Sequence, residues 1–365
     1  MSASTGARWS WTTVAPLAGL VVLAASWGRH PGTAAASVVA VFLVGAVLAA
    51  VYHAEVVAHR VGEPFGSLVL AVAVTVIEVG LILTLMLSHG DKDTSALARD
   101  TVFSAVMISC NGIVGLALLV GALRHHLASF NPEGTGAALA TAITLASVTL
   151  VLPRFTTSTP GPEFSPSQLA FAAVASVALY GLFVFTQTVR HRDFFLPVGA
   201  AGDLDGDGHA DLPSSRTALV SLGLLVVALL GVVGLAKVES PSIEAGVSAL
   251  GFPAASVGVV IALLVLLPES IAAVRAAARD DAQTSMNLAY GSAIASIGLT
   301  IPTLAVATIW VDDPLALGLE PMQMVLLATT AVVSVLTVVP GRAKPLQGGV
   351  HLVLLAAFVF LSLRP

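Results

Sequence analysis

Long apolar stretches separated by short polar connections dominate the chain, and their lengths set the first expectation. About 20 mostly apolar residues are needed for a helix to cross the roughly 30 Å of a bilayer's hydrocarbon. Eleven stretches approach that length: Val14–Trp27, Ala35–Val57, Phe65–Ser88, Val102–Leu123, Gly136–Leu152, Leu169–Thr188, Ala218–Lys237, Ile243–Val274, Met286–Trp310, Met322–Val339 and Leu346–Leu363. The first is short, and the eighth is long enough to be tilted or broken. The pattern predicts an all-α, polytopic membrane protein of about 11 transmembrane helices in contact with the lipid bilayer.

Composition sharpens this. Only 10% of the residues are charged, against about 25% in soluble domains. The net charge of −5 excludes the basic face of a nucleic-acid binder. One cysteine, Cys110, rules out an intramolecular disulfide, and its apolar setting favours a packed, inert thiol. No small-residue cleavage site follows the first apolar stretch, so no removable signal peptide is expected. With a cytoplasmic N-terminus, ten Lys and Arg fall inside and six outside, the bias expected of an inner-membrane protein in that orientation.

The longest polar connection divides the spans. It predicts an N-terminal segment and first helix (1–34), a five-helix repeat (35–189), an acidic cytoplasmic linker (190–216) and a second five-helix repeat (217–365). An odd number of spans per repeat makes the two copies inverted. In the first, Glu78 precedes a Ser/Gly-rich span around Ser104 by 26 residues; in the second, Glu269 precedes Gly291-Ser292 by 23.

The two glutamates carry the chemistry. Glu78 interrupts Val-Thr-Val-Ile-Glu-Val-Gly-Leu near the middle of its span. An ionisable group there costs about 2.5–3.5 kcal/mol even on the gentler insertion scales, so it marks a polar interior or an ion path. An apolar surround disfavours a charged carboxylate and a nearby cation favours it, so one carboxyl can trade a proton for a metal ion. Glu269 follows Pro268, whose missing N–H frees a carbonyl one turn earlier as a further oxygen ligand. Thr75, Ser104, Ser109, Asn111, Ser270, Asn287, Ser292, Ser296 and Thr300 add oxygens of the kind hard cations take. With no sulfur set and no His pair inside a span, a zinc or soft-metal site is disfavoured. His53, Glu55 and His59 end the second span as a membrane-edge cluster, with proton uptake as the alternative.

The linker contains Gly-Asp-Leu-Asp-Gly-Asp-Gly-His-Ala-Asp-Leu. Asp203, Asp205, Asp207 and Asp211 take positions 1, 3, 5 and 9 of a calcium loop, and His209 would offer its carbonyl at position 7. Ser214 stands where an EF-hand has its bidentate Glu, and the stretch is closer to the shorter D-x-D-G-D-G-x-x-D loops. A solvated acidic tether is the alternative.

Val57-Ala-His-Arg-Val-Gly-Glu-Pro-Phe-Gly-Ser-Leu-Val-Leu through Glu78-Val, and Pro268-Glu-Ser through Met286-Asn-Leu-Ala-Tyr-Gly-Ser-Ala-Ile-Ala-Ser-Ile-Gly-Leu-Thr-Ile-Pro302, carry a resemblance. On these the chain resembles the bacterial ChaA-type calcium(sodium, potassium)/proton antiporters of the cation/Ca²⁺ exchanger superfamily. The resemblance implies that Glu78 and Glu269 fall on the two cation-binding Glu positions and meet near the bilayer centre. Val74-Thr75-Val76 and Leu266-Leu267-Pro268 stand where the wider superfamily has Gly-Asn-Ala, and Ala295 replaces a frequent Gln. Fewer side-chain oxygens imply a site less strict for calcium. The expectation is an antiporter, not an enzyme, exchanging Ca²⁺ for H⁺, with Na⁺ or K⁺ as alternative substrates and the oligomeric state open. An intramembrane hydrolase would need Gly-x-Ser-x-Gly or His-Glu-x-x-His, and neither occurs; a channel would need no protonation.

Overall fold

The computed structural model describes residues 10–29, 32–62, 65–88, 94–197, 213–253, 255–310 and 314–365. Eleven helices carry nearly all of them: α1 Trp11–Ser26, α2 Thr33–Val61, α3 Phe65–Ser88, α4 Leu97–His125, α5 Pro132–Arg154, α6 Pro166–Arg190, α7 Ser215–Ala249, α8 Ala255–Ala277, α9 Ala282–Ala307, α10 Pro321–Val338 and α11 Pro345–Leu363. Ten are long and apolar enough to cross a membrane, while α1, at 16 residues, is shorter. Large apolar side chains such as Val21, Val41, Phe171, Leu230 and Val332 stay exposed on these helices, as a hydrocarbon solvent allows.

Four helices open on proline. Pro132, Pro166, Pro321 and Pro345 take the first turn, where a missing N–H costs nothing. Each helix therefore starts one to four residues before its apolar stretch. The eighth stretch, long enough to be tilted or broken, is broken. The stretch Ile243–Val274 is two pieces: its first residues end the 35-residue α7, and the chain turns at Gly251, with φ of 68°, before α8 begins. Gly251 and Pro253 break the helix, whereas Pro268 sits inside a continuous one.

The chain forms two compact units, from Met1–Thr84 with Asp211–Ser242 and from Leu85–Ala210 with Ile243–Pro365. In the first, α1 packs on α2. His53, buried at 3% exposure, bonds through Nε2 to the Thr12 carbonyl at 2.9 Å, while Glu55 and His59 are exposed. The expected edge cluster is thus split, with His53 fastening α2 to the start of α1. Gly234 of α7 abuts Leu23 of α1.

In the second unit, α8 packs against α4 and α9, and α9 also packs against α5 and α6. A two-residue antiparallel pairing, β1 (Ala128–Ser129) with β2 (Arg342–Ala343), ties the α4–α5 and α10–α11 connections together. At the other end of these helices, Arg99 and Asp100 lie inside α4 instead of in the preceding loop, and both are buried. Arg99 Nε donates to Asp100 Oδ1 at 2.9 Å and Nη1 donates to the Gly318 carbonyl and to Glu320 Oε1, each at 3.3 Å. The buried extended stretch before α10 is bonded by Ala316 N to Ser95 O, Gly318 N to Pro162 O and Leu319 N to Leu150 O.

Helix α8 reaches α4 through Gly258. A Cβ there would stand 2.8 Å from the carbonyl carbon of Asp100 and the nitrogen of Thr101. Gly258→Ala should therefore force the two backbones apart and destabilise the unit by about 1–3 kcal/mol, the usual cost of overpacking. Gly181→Ala, whose Cβ would meet nothing within 4 Å, should be neutral or slightly stabilising. Thermal unfolding in detergent compares them, and equal midpoints would contradict the close contact.

Candidate cation and proton site

In the first unit, Glu78 lies in the most enclosed part of α3. Ile77, Glu78, Val79, Leu81 and Ile82 are all buried, Glu78 at 2% exposure. Two residues on, Gly80 admits α7: a Cβ there would stand 2.7 Å from Val233 Cγ2. Thr75, one turn before Glu78, is buried and donates its hydroxyl to the Ala71 carbonyl at 2.8 Å. Its hydrogen is thereby held by the helix, and the oxygen has only lone pairs to offer.

In the second unit, Glu269 is buried at 7% exposure. It continues a stripe of α8 that includes Gly258, Ala262 and Leu266, and the last two cluster with Ala105 and Ile108 of α4. The contact at Gly258 fixes the register, with α8 parallel to α4. Counting from Gly258 to Glu269, and equally far from Asp100 and Thr101, places Glu269 level with Asn111 and Gly112. There α4 is not a regular helix. Ile108–Ile113 form a π-helical turn, fully buried, a distortion common at functional positions. On the other side, Ser285 of α9 donates to the Ala273 carbonyl at 2.7 Å, so α9 runs back along α8 with Ala289 and Tyr290 level with Glu269.

The expected oxygen donors divide within this unit. Ser292 is half-buried and one turn beyond the level of Glu269. Ser104 is buried and donates to the Asp100 carbonyl, about 10 Å along α4 from Asn111 at 1.5 Å per residue. Ser270 donates to the Leu266 carbonyl at 2.7 Å. Asn287 is committed elsewhere: it donates to the Phe195 carbonyl at 2.7 Å and accepts from Gln283 at 2.8 Å, fastening the turn Arg192–Phe195. Cys110 is fully buried, as its apolar setting implied. Asp203, Asp205, Asp207, His209 and Asp211 lie outside the described residues. Among the described residues no three His, Cys, Asp or Glu side chains gather as a metal cluster.

Residues 32–189 and 220–364 match the sodium/calcium exchanger protein family. The chain belongs to that family. This exchanger is 44% identical, over 98% of its length and 96% of the other's, to a Sinorhizobium fredii protein described as an ionic transporter. It is 33% identical, over 94% of its length and 93% of the other's, to the sodium-potassium/proton antiporter ChaA of Escherichia coli. In fold it is similar to YfkE, with a TM-score of 0.72, 15% identity and 97% and 98% of the two chains covered. Against the H⁺/Ca²⁺ exchanger CAX the TM-score is 0.68, with 16% identity and 96% and 91% covered. Family and neighbours are transporters, not enzymes.

The sequence offered Asn111 as an oxygen donor but not its partners Thr330, Thr337 and His351 behind the π-turn. Asn111, Thr330, Thr337 and His351 are all buried and hydrogen-bonded to one another. The available signal was His351, an ionisable group inside an apolar span.

Next to Glu78, Gly80→Ala should impair assembly or transport because Val233 is β-branched and stiff at χ1. Adding Val233→Ala should restore both. Failure of the second substitution to rescue the first, in yield and flux, would remove this contact as the reason for the glycine.

Proposed function

We propose that this exchanger trades a cytoplasmic cation for protons, Ca²⁺ in the first reading, with Glu78 and Glu269 alternately holding protons and helping to bind the cation. The observation that carries the proposal is a buried carboxylate deep inside each of two apolar helices, α3 and α8. Such groups are retained in a membrane where a polar pathway needs them. Thr75, with its hydrogen committed to the helix, suits the approach of a cation better than an anion, and Ser104 is bonded in the same way. Ser292 completes the proposed oxygen set. Exchange without an open pore follows if occupancy by proton or cation biases which side is exposed.

A second reading takes Na⁺ or K⁺ as the substrate. The identity with the Escherichia coli sodium-potassium/proton antiporter favours it, as does Val-Thr-Val before Glu78, which offers fewer side-chain oxygens than Ca²⁺ usually takes. A 22% identical protein of Aphanothece halophytica, matched over 73% of this chain, is a Ca²⁺/H⁺ antiporter. The family match in two blocks, 32–189 and 220–364, supports two inverted repeats at 35–189 and 217–365, after a segment 1–34 and joined by a linker 190–216. An inner-membrane location with the N-terminus cytoplasmic follows the Lys and Arg bias.

In vesicles with an imposed pH gradient, the wild-type protein should drive Ca²⁺ uptake, with Na⁺ and K⁺ compared side by side. Glu78→Gln and Glu269→Gln keep size and hydrogen bonding but cannot cycle a proton, so both should abolish exchange while leaving insertion intact. Normal proton-coupled flux by either mutant would remove that residue from the reaction. Ion flux that ignores the pH gradient would point to a channel.

The linker residues Asp203, Asp205, Asp207 and Asp211, with the His209 carbonyl, are proposed to bind Ca²⁺ on the cytoplasmic side and to activate transport. Sensor loops work at about 10⁻⁷–10⁻⁵ M, and this one lacks the twelfth-position Glu, so binding should be weaker. Replacing Asp205 and Asp207 with Asn should change the calcium activation of transport more than its maximal rate. Unaltered activation would reduce the segment to an acidic tether.

A further inference from the structure

Behind the π-turn lies a directional chain of hydrogen bonds buried among α4, α10 and α11. Asn111 directs its amide nitrogen to Thr330 Oγ1 at 3.0 Å and toward the sulfur of Met107 at 3.8 Å. Its oxygen, which can only accept, faces His351 Nδ1 at 3.1 Å. That nitrogen must then carry the hydrogen, which leaves Nε2 as an acceptor for the Thr337 hydroxyl at 3.2 Å. Thr330 in turn donates to Met107 Sδ at 3.7 Å. Both nitrogens of a neutral imidazole are satisfied, and the side chain is fully buried.

The approach that allows this is built from glycines. A Cβ on Gly115 would meet Leu352, His351 and the Gly348 carbonyl at 3.0–3.1 Å, and one on Gly348 would stand 2.6 Å from Leu119 N. Helix α11 thus lies against the backbone of α4 just beyond the π-turn, with Leu355 against Gly112 within it. The elements packed on α11 are α4, α8, α10 and β2. Their titratable groups are Arg99, Asp100, Cys110, Arg124 and His125 on α4, Glu269 and Arg275 on α8, and Arg342 on β2; α10 carries none.

We propose that His351 is a positioning residue for exchange: a neutral imidazole, hydrogen on Nδ1, that holds Asn111 and so fixes the π-turn against the helix bearing Glu269. The inference rests on the assignment of Glu269 to the reaction. Its logic is that a π-turn has an alternative, the regular α-helix, and slipping between the two would shift the oxygens beside Glu269 by a residue. Anchoring Asn111 from α10 and α11 selects one register.

The test combines transport with a readout that does not depend on it. In reconstituted vesicles, His351→Leu should raise the apparent KM for the cation about five- to tenfold, the worth of one buried hydrogen bond expressed as affinity. Maximal rate should change less. His351→Gln, which can still donate to Asn111 and accept from Thr337, should recover most of the loss. Thr337→Val provides the same comparison if His351→Leu does not assemble. In bilayers of ¹⁵N-histidine-labelled wild-type protein, the resonance absent from His351→Gln should report a neutral Nδ1–H tautomer unchanged across the working pH range. An Nε2–H tautomer, or titration within that range, overturns the proposal. So does a wild-type KM in His351→Leu with Glu269→Gln inactive, which leaves the carboxylate assignment standing. Normal exchange by Glu269→Gln would take down both.

Discussion

Contact between Gly258 and the peptide joining Asp100 to Thr101 sets the register of the second unit. No side chain separates the two helices there, so α8 cannot slide along α4 without a backbone clash. Everything in that unit at the height of Glu269 follows from this one closeness. The π-turn arrives beside the carboxylate because the count from Gly258 brings it there. In lipid, where apolar contact between helices gains little over contact with acyl chains, such small-residue seams do the work that burial from water does elsewhere.

Much of this could be read from the sequence. Apolar run lengths gave the helices, and Glu78 and Glu269 stood out because ionisable groups in such runs are costly. The misses share a cause: apolar pattern reports what faces lipid, not how a helix is paced. Gly251-Phe-Pro253 broke the eighth run at a point that its hydropathy did not mark. The π-turn leaves no mark in Ile-Ser-Cys-Asn-Gly-Ile, since an inserted residue in a buried segment keeps the same apolar surround. Arg99 was read as a loop residue because charges usually end spans, yet its partners Asp100, Gly318 and Glu320 allow it inside. Asn287 is an oxygen donor in type but serves the turn at Phe195. Only three-dimensional pairing decides which oxygens face an ion.

Buried and half-buried hydroxyls show a common habit. Thr75, Thr101, Ser104, Thr149 and Ser270 all give their hydrogen to the carbonyl four residues back. In hydrocarbon this satisfies the donor without a neighbouring helix and leaves each oxygen as an acceptor. Each such oxygen is electronegative without carrying formal charge. Under the proposed function, Glu78 and Glu269 supply the charge that such oxygens lack.

The extended stretch before α10 has a consequence of another kind. Its N–H groups at Ala316, Gly318 and Leu319 are taken by carbonyls of the α3–α4 connection, the α5–α6 connection and the end of α5, and Arg99 holds the Gly318 oxygen. Surface connections ordinarily absorb extra residues easily because their backbones bond to water. Here one inserted residue would strand several buried amides at once. Tags, epitopes or fused domains belong elsewhere on this molecule, and natural length variation at this connection should be rare.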